Sequence, residues 1–184
     1  MKFFILLLST LLIFSYSYVM ATEETSYEIV SKNDVYEIRK YSDRLAVETI
    51  EINQNSGFRK LFNYISGNNN TNEKIQMTTP VTRIEKNGNI TMQFYLPSKF
   101  NKQNVPNPIS NDIKVLVING GYYAAIKYSG RTSDKNFINN VDILKNELLK
   151  NNILILSRPI RATYNSPFTL PAFRRNEVIF KINY

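Results

Sequence analysis

An α+β fold follows from three features of this 184-residue chain. Short runs rich in Val, Ile, Thr and Tyr alternate apolar and polar residues; two longer segments switch to helical spacing; and the order strand, strand, helix, strand, strand occurs twice. That order suggests an antiparallel sheet of two pseudo-symmetric halves, curled toward a barrel, with one helix packed on each half.

The segments "YEIVSKNDVYEIRKY" and "RLAVETIEI" read as paired strands separated by "SDR". In "NQNSGFRKLFNYISG" the period changes: Phe58, Leu61, Phe62 and Ile65 fall at i, i+3, i+4 and i+7, giving a short helix with one apolar face, ended by Gly67. "NNNTNEK" is a polar loop. "IQMTTPVTRIE" and "NITMQFYLP" then form a hairpin whose tight turn uses Asn87 and Gly88. Ile90, Met92, Phe94 and Leu96 point one way and Thr91, Gln93 and Tyr95 the other, which predicts a half-buried strand. After the Pro- and Asn-rich "PSKFNKQNVPNPISND" the order recurs. "IKVLVIN" and "GYYAAIKYSG" flank Gly120 and Gly121, and "SDKNFINNVDILKNELLKNN" is a helix capped by Ser133 or Asp134 with a stripe of Phe137, Val141, Leu144 and Leu148. "ILILSRPIRATYN" and "NEVIFKINY" complete the second half as strands.

The first 21 residues carry Lys2, an apolar run from Phe3 to Phe14 and a small residue at Ala21, the pattern of a secretory signal peptide. The run is shorter than the ~20 apolar residues of a membrane span. Residues 22–184 are then one secreted, soluble domain with no membrane span. Cys and His are both absent. Stability must therefore come from packing without disulfides, and Ser-His-Asp and Cys-His catalysis and the common zinc sites are excluded. The net charge is +8, one unit less without Lys2, but Lys and Arg are scattered, so no nucleic acid partner is expected. "NNT" at Asn69 and "NIT" at Asn89 are glycosylation acceptors that suit a secretory route.

Several segments, "GFRKLFNYISGNN", "KIQMTTPV", "FYLP", "YYAAIKYSG" and "YNSPFTLPAFRRNEV", resemble the SOUL haem-binding protein family and occur in its order across nearly all of residues 22–184. The resemblance implies a distorted antiparallel β-barrel of two similar halves, each with a helix on the sheet. It also implies haem or a related tetrapyrrole as partner, held in a shallow apolar cleft beside the first helix with basic residues near the propionates. Carried onto this sequence, the binding positions are Phe58, Arg59, Lys60, Phe62 and Ile65. Asn55 and Asn63 stand where some binders of the family carry basic residues, and the histidine ligand proposed for some relatives has no counterpart here.

The residues themselves temper that picture. The stripe of Phe58, Leu61, Phe62 and Ile65 is also what any helix shows when it packs on a sheet, so the cleft would use only one edge of it. Met77 is a poor sole ligand for ferric haem and reads as a gap-filler. A tyrosinate would be the better iron donor, with Tyr36, Tyr41, Tyr64, Tyr122, Tyr123 and Tyr128 all available. In "RRNEV", Arg174, Arg175 and Glu177 lack a nucleophile or base beside them and read as an Arg-Glu pair anchoring the last strand. The expected function is that of a monomeric, non-enzymatic binding protein without catalytic or metal-ligating residues. The alternative is a protein-interaction module on the same fold that has lost haem binding.

Overall fold

The structure is a computed structural model that describes residues 22–51, 56–86 and 88–184. The segment read as a signal peptide, residues 1–21, and Asn55 lie outside the described residues.

Alternation of the kind seen in "EIRKY" and "NITMQFY" places successive side chains on opposite faces, and these runs form strands. In chain order the elements are β1 (Glu23–Glu24), β2 (Glu28–Lys32), β3 (Glu37–Tyr41), β4 (Arg44–Glu51), α1 (Ser56–Ile65), β5 (Thr78–Thr79), β6 (Val81–Lys86) and β7 (Asn89–Tyr95). They continue with β8 (Lys114–Ile118), β9 (Gly121–Tyr128), α2 (Asp134–Lys150), β10 (Leu154–Ile155), β11 (Ile160–Thr163), a 3-10 turn (Pro171–Phe173) and β12 (Asn176–Asn183). Ten strands make one sheet in the order β2-β3-β9-β12-β11-β6-β7-β4-β8, with β10 also paired to β12. Every pairing in it is antiparallel. β1 and β5 form a separate parallel pair.

The expected closed barrel is not formed. β2 and β8 remain as edges with no ladder between them, and every side chain of β2 is exposed. The sheet curls nonetheless, because the β3-β4 and β8-β9 connections cross in contact. The Gly120 amide donates to Asp43 Oδ1 at 2.8 Å. A Cβ on Gly120 would lie 2.5 Å from the Tyr41 carbonyl oxygen and 2.8 Å from the Ser42 carbonyl carbon. Only glycine permits that approach.

This crossing also corrects the reading of β3 and β4 as a pair. β3 lies between β2 and β9, while β4 lies between β7 and β8. The hairpin between β6 and β7 forms as expected, Lys86 opposite Asn89, with Gly88 at φ 77°. From Met92 to Tyr95, β7 is buried on both faces rather than half-buried, with Gln93 and Tyr95 each only 5% exposed, whereas Ile90, expected on the apolar face, is 42% exposed. The curled sheet covers the polar side of the strand, which in a flat sheet would face water.

Both helices lie on the same, outer face. α2 buries Val141, Leu144 and Leu148 against Ile38, Ala124, Val178 and Phe180. Phe137 is only partly buried, and the Ser133 hydroxyl caps the helix by accepting from the Asn136 amide at 3.3 Å. α1 buries Leu61, Tyr64 and Ile65 against Val47, Met92 and Phe94, with Met77 packed at the margin of that cluster. Met77 is thus core filling. A third cluster, Tyr41, Tyr123, Ala125, Ala162 and Ile179, occupies the inner face.

Candidate functional site

α1 begins close to the sheet because Gly57 has no side chain. A Cβ there would meet those of Glu51 and Met92 at 3.3 Å. The helix is seated so that Leu61 and Tyr64 are fully buried and Ile65 is 5% exposed. The Tyr64 hydroxyl donates to the Pro106 carbonyl at 2.7 Å. Phe58 and Phe62 are left at the rim, 37% and 47% exposed. Their rings are nearly parallel, with centroids 5.9 Å apart and planes 12° off, and Phe58 stands edge-on to Phe94 at 5.2 Å.

Of the residues singled out in the sequence, the structure brings Phe58 and Phe62 together as an open aromatic shelf. It draws Ile65 into the core. Arg59 is exposed, while Lys60 is half-buried and its Nζ is 2.7 Å from Asp112 Oδ2. Lys60 and Asp112 also line a groove of about 280 Å³ with Glu48, Thr49, Asn111 and Lys114. Ile50 completes the lining, whose exposed surface is mostly apolar although most of its residues are polar, and the volume falls below the roughly 300–1,000 Å³ of typical small-molecule pockets. Asn63 is exposed.

A second concentration of chemistry lies on the inner face. Arg39, fully buried, donates to both oxygens of Glu177 at 2.7 and 3.0 Å and through Nε and Nη2 to Glu37 Oε2 at 3.0 and 2.8 Å. Glu177 also accepts from Arg175 Nε at 3.0 Å and from the Tyr164 hydroxyl at 2.8 Å. Lys127 Nζ reaches Glu37 at 3.1 Å, and Arg175 reaches out to both oxygens of Glu24 at 2.9 Å. Beside them the Arg44 guanidinium lies over the Tyr41 ring at 3.9 Å.

Electrostatics locks this network in one protonation state. Burial pushes the Glu37 carboxyl up, but the hydrogen bonds from Arg39 and Lys127 outweigh it and hold the group at about 2. Burial likewise opposes ionisation of Glu177, and the Arg39 bonds and charge overcome it, so its pKa is lowered. Tyr164 is pushed strongly upward by burial and by the Glu177 charge. Both carboxylates are therefore ionised and saturated with donors near neutral pH, and neither is free to take up a proton. The expected Arg-Glu anchor is present between Arg175 and Glu177. Arg174 instead binds the Thr169 and Pro167 carbonyls at 2.8 and 2.6 Å. Arg39 and Glu37 were not singled out in the sequence, although the alternation in "EIRKY" places Glu37, Arg39 and Tyr41 on one face.

The two glycosylation acceptors occupy contrasting sites. Asn69 is 1% exposed, and its Nδ2 donates to the Tyr64 and Glu73 carbonyls at 3.1 and 2.8 Å. Its Oδ1 accepts from the Glu73 amide at 3.1 Å, so the side chain ties the loop after α1 together. Asn89, at the start of β7, is exposed.

Among the described residues, the fold and this site define an α+β protein with two helices on an open antiparallel sheet and an aromatic shelf at the rim of one helix. The chain belongs to the SOUL heme-binding protein family, whose model matches residues 22–181. Haem binding is the property that the family description carries. No curated protein matches the chain. Among solved structures it is similar to the EcmrR C-terminal domain, with a TM-score of 0.60 at 15% identity over 85% of this chain and 98% of that one. It is also similar to a hydrolase from Listeria innocua, with a TM-score of 0.56 at 9% identity over 84% and 94%. At such identities the likeness is one of fold alone.

Among the described residues no cluster of acidic side chains could hold a metal ion, and no helix is long and apolar enough to cross a membrane.

Proposed function

We propose that this chain is a secreted, monomeric, non-catalytic protein that binds haem or a related tetrapyrrole on the Phe58-Phe62 shelf. The observation that carries the reading is that two stacked phenyl rings stand 37% and 47% exposed on a helix whose other large apolar side chains are buried. Covering such rings with a flat apolar ligand gains part of the roughly 1.5–3 kcal/mol of a fully buried Phe. Arg59 is free to meet one propionate by a charge-assisted hydrogen bond, and Lys60 can meet the other by leaving exposed Asp112.

The shelf suits the ring and the carboxylates better than the iron, since of the tyrosines considered as donors only Tyr64 belongs to the α1 cluster. Tyr64 is fully buried, bonded to Pro106, and pushed by burial to about 12; Tyr41 is pushed by burial to a similar value. Burial also raises Tyr36, Tyr123 and Tyr128. Such phenols stay protonated near neutral pH, and Met77 is committed to the core. The ring face, rather than an axial side-chain ligand, therefore supplies the affinity. The shelf is open, so the ligand lies against the surface instead of inside a closed cleft.

Secretion rests on the signal-like residues 1–21, and exposed Asn89 is the acceptor suited to a glycan. A glycan on Asn69 would displace the bonds of Nδ2 to Tyr64 and Glu73. The reading of the sheet as two related halves is supported by strand order: β8-β4-β7-β6 runs from one edge to the middle as β3-β9-β12-β11 does from the other side, where β2 is added outside β3 as the edge.

The test is a titration of purified protein with hemin, read by the Soret band. One site is expected, lost in the Phe58→Asp, Phe62→Asp double variant. The competing reading, a protein-docking shelf without haem binding, is favoured by the Lys60-Asp112 pair, which occupies one of the two cations. It predicts adsorption of hemin that the double variant does not change, and capture of a secreted partner that hemin does not displace.

A further inference from the structure

The connection from β11 to β12 presents Phe168, Leu170 and Phe173 at 93%, 65% and 76% exposure. Large apolar side chains at a loop tip normally turn back onto the nearest core when the backbone allows. Here the backbone is pinned so that they do not. Arg174 clamps the Thr169 and Pro167 carbonyls at 2.8 and 2.6 Å, the Gly130 amide donates to the Pro171 carbonyl at 2.8 Å, and the Arg175 amide donates to Asn165 Oδ1 at 2.6 Å. The tip is thus a preformed projection from one narrow loop.

Its surroundings are positive. Gly130 and Thr132, both bonded to the loop or to Arg174, bring the segment carrying Arg131 and Lys135 alongside. Among the described residues Arg131, Lys135 and Arg174 form no ion pair, and the adjacent carboxylate, Asp134, is taken by Arg161 at 2.7 Å. An apolar projection with three cations outside any ion pair on or beside its loop, on a chain of net charge +8, or +7 without Lys2, complements a surface that is apolar below and anionic above. We infer that the Phe168-Leu170-Phe173 tip, flanked by Arg131, Lys135 and Arg174, inserts into the surface of an anionic lipid bilayer. This inference is independent of the tetrapyrrole reading, since the tip and the α1 shelf share no residue.

The chain contains no Trp, so Phe168→Trp gives a single reporter confined to the tip. With phosphatidylserine-containing vesicles its emission shifts to the blue and is quenched by brominated acyl chains; with pure phosphatidylcholine both effects are much smaller. Adding Arg131→Ser and Lys135→Ser weakens binding about 30-fold, and raised salt does the same. Adding Leu170→Ser and Phe173→Ser abolishes the shift, while an unchanged urea unfolding midpoint shows that the fold persists. Emission that stays unchanged on phosphatidylserine vesicles overturns the inference, even if the chain sediments with them, because another segment would then be the contact. A shift produced only by an added protein overturns it as well.

Discussion

Arg39 has no exposed surface, yet it carries a full charge, and two carboxylates from different strands hold it in place. Removing one partner of such a pair costs more than the pair contributes, because the remaining charge stays buried. Glu177→Ala should therefore lower unfolding stability by about 3–5 kcal/mol in urea titrations. A loss below about 1 kcal/mol would mean that water reaches Arg39. The pH dependence follows from the lowered carboxyls. Glu37 falls from 4.5 to about 2 on folding, so its contribution is complete above pH 4.5 and is lost as pH drops toward 2. Urea midpoints should decline across that window, and Glu37→Gln should flatten the decline. At this scale the sequence was legible in part: an Arg-Glu pair could be expected among Arg174, Arg175 and Glu177, but not which arginine forms it, and the bond of Glu177 to Arg39 spans 138 positions and depends on β3 and β12 flanking β9.

α1 shows what helical periodicity can and cannot resolve. The spacing of Phe58, Leu61, Phe62 and Ile65 correctly marks an apolar stripe, but which of its residues are core depends on how the helix sits on β4 and β7. Gly57 tilts it close at its start, so Leu61 and Ile65 go inward and the two Phe rings remain at the edge. Leu61→Ala should cost about 2–5 kcal/mol, and Phe62→Ala about 1 kcal/mol or less, by chemical denaturation. Equal costs would remove the distinction between core and shelf. The crossing at Gly120 was not legible, because the two connections meet only in three dimensions. Gly120→Ala should destabilise by about 1–3 kcal/mol, since the added Cβ meets backbone atoms that cannot rotate away. An unaffected unfolding midpoint would show that the crossing opens freely.

Over the whole molecule, the pattern of alternating runs and two helical segments was enough for the α+β class and the order of most elements, and the motifs around Met77 and Asn176 were enough for the family. Closure of the sheet was not, because it depends on whether the edges β2 and β8 find each other; they do not, and the curl comes from the crossed connections instead. The same curl buries Tyr95 and Gln93 and takes Arg39 and Glu177 out of solvent, while the rim of α1 keeps Phe58 and Phe62 accessible. Hemin titration of the wild-type chain beside the Phe58→Asp, Phe62→Asp variant tests this most directly. One saturable site with a shifted Soret band in the wild type, absent from an equally stable variant, is the predicted result; identical, non-saturating spectra from the two proteins would contradict it.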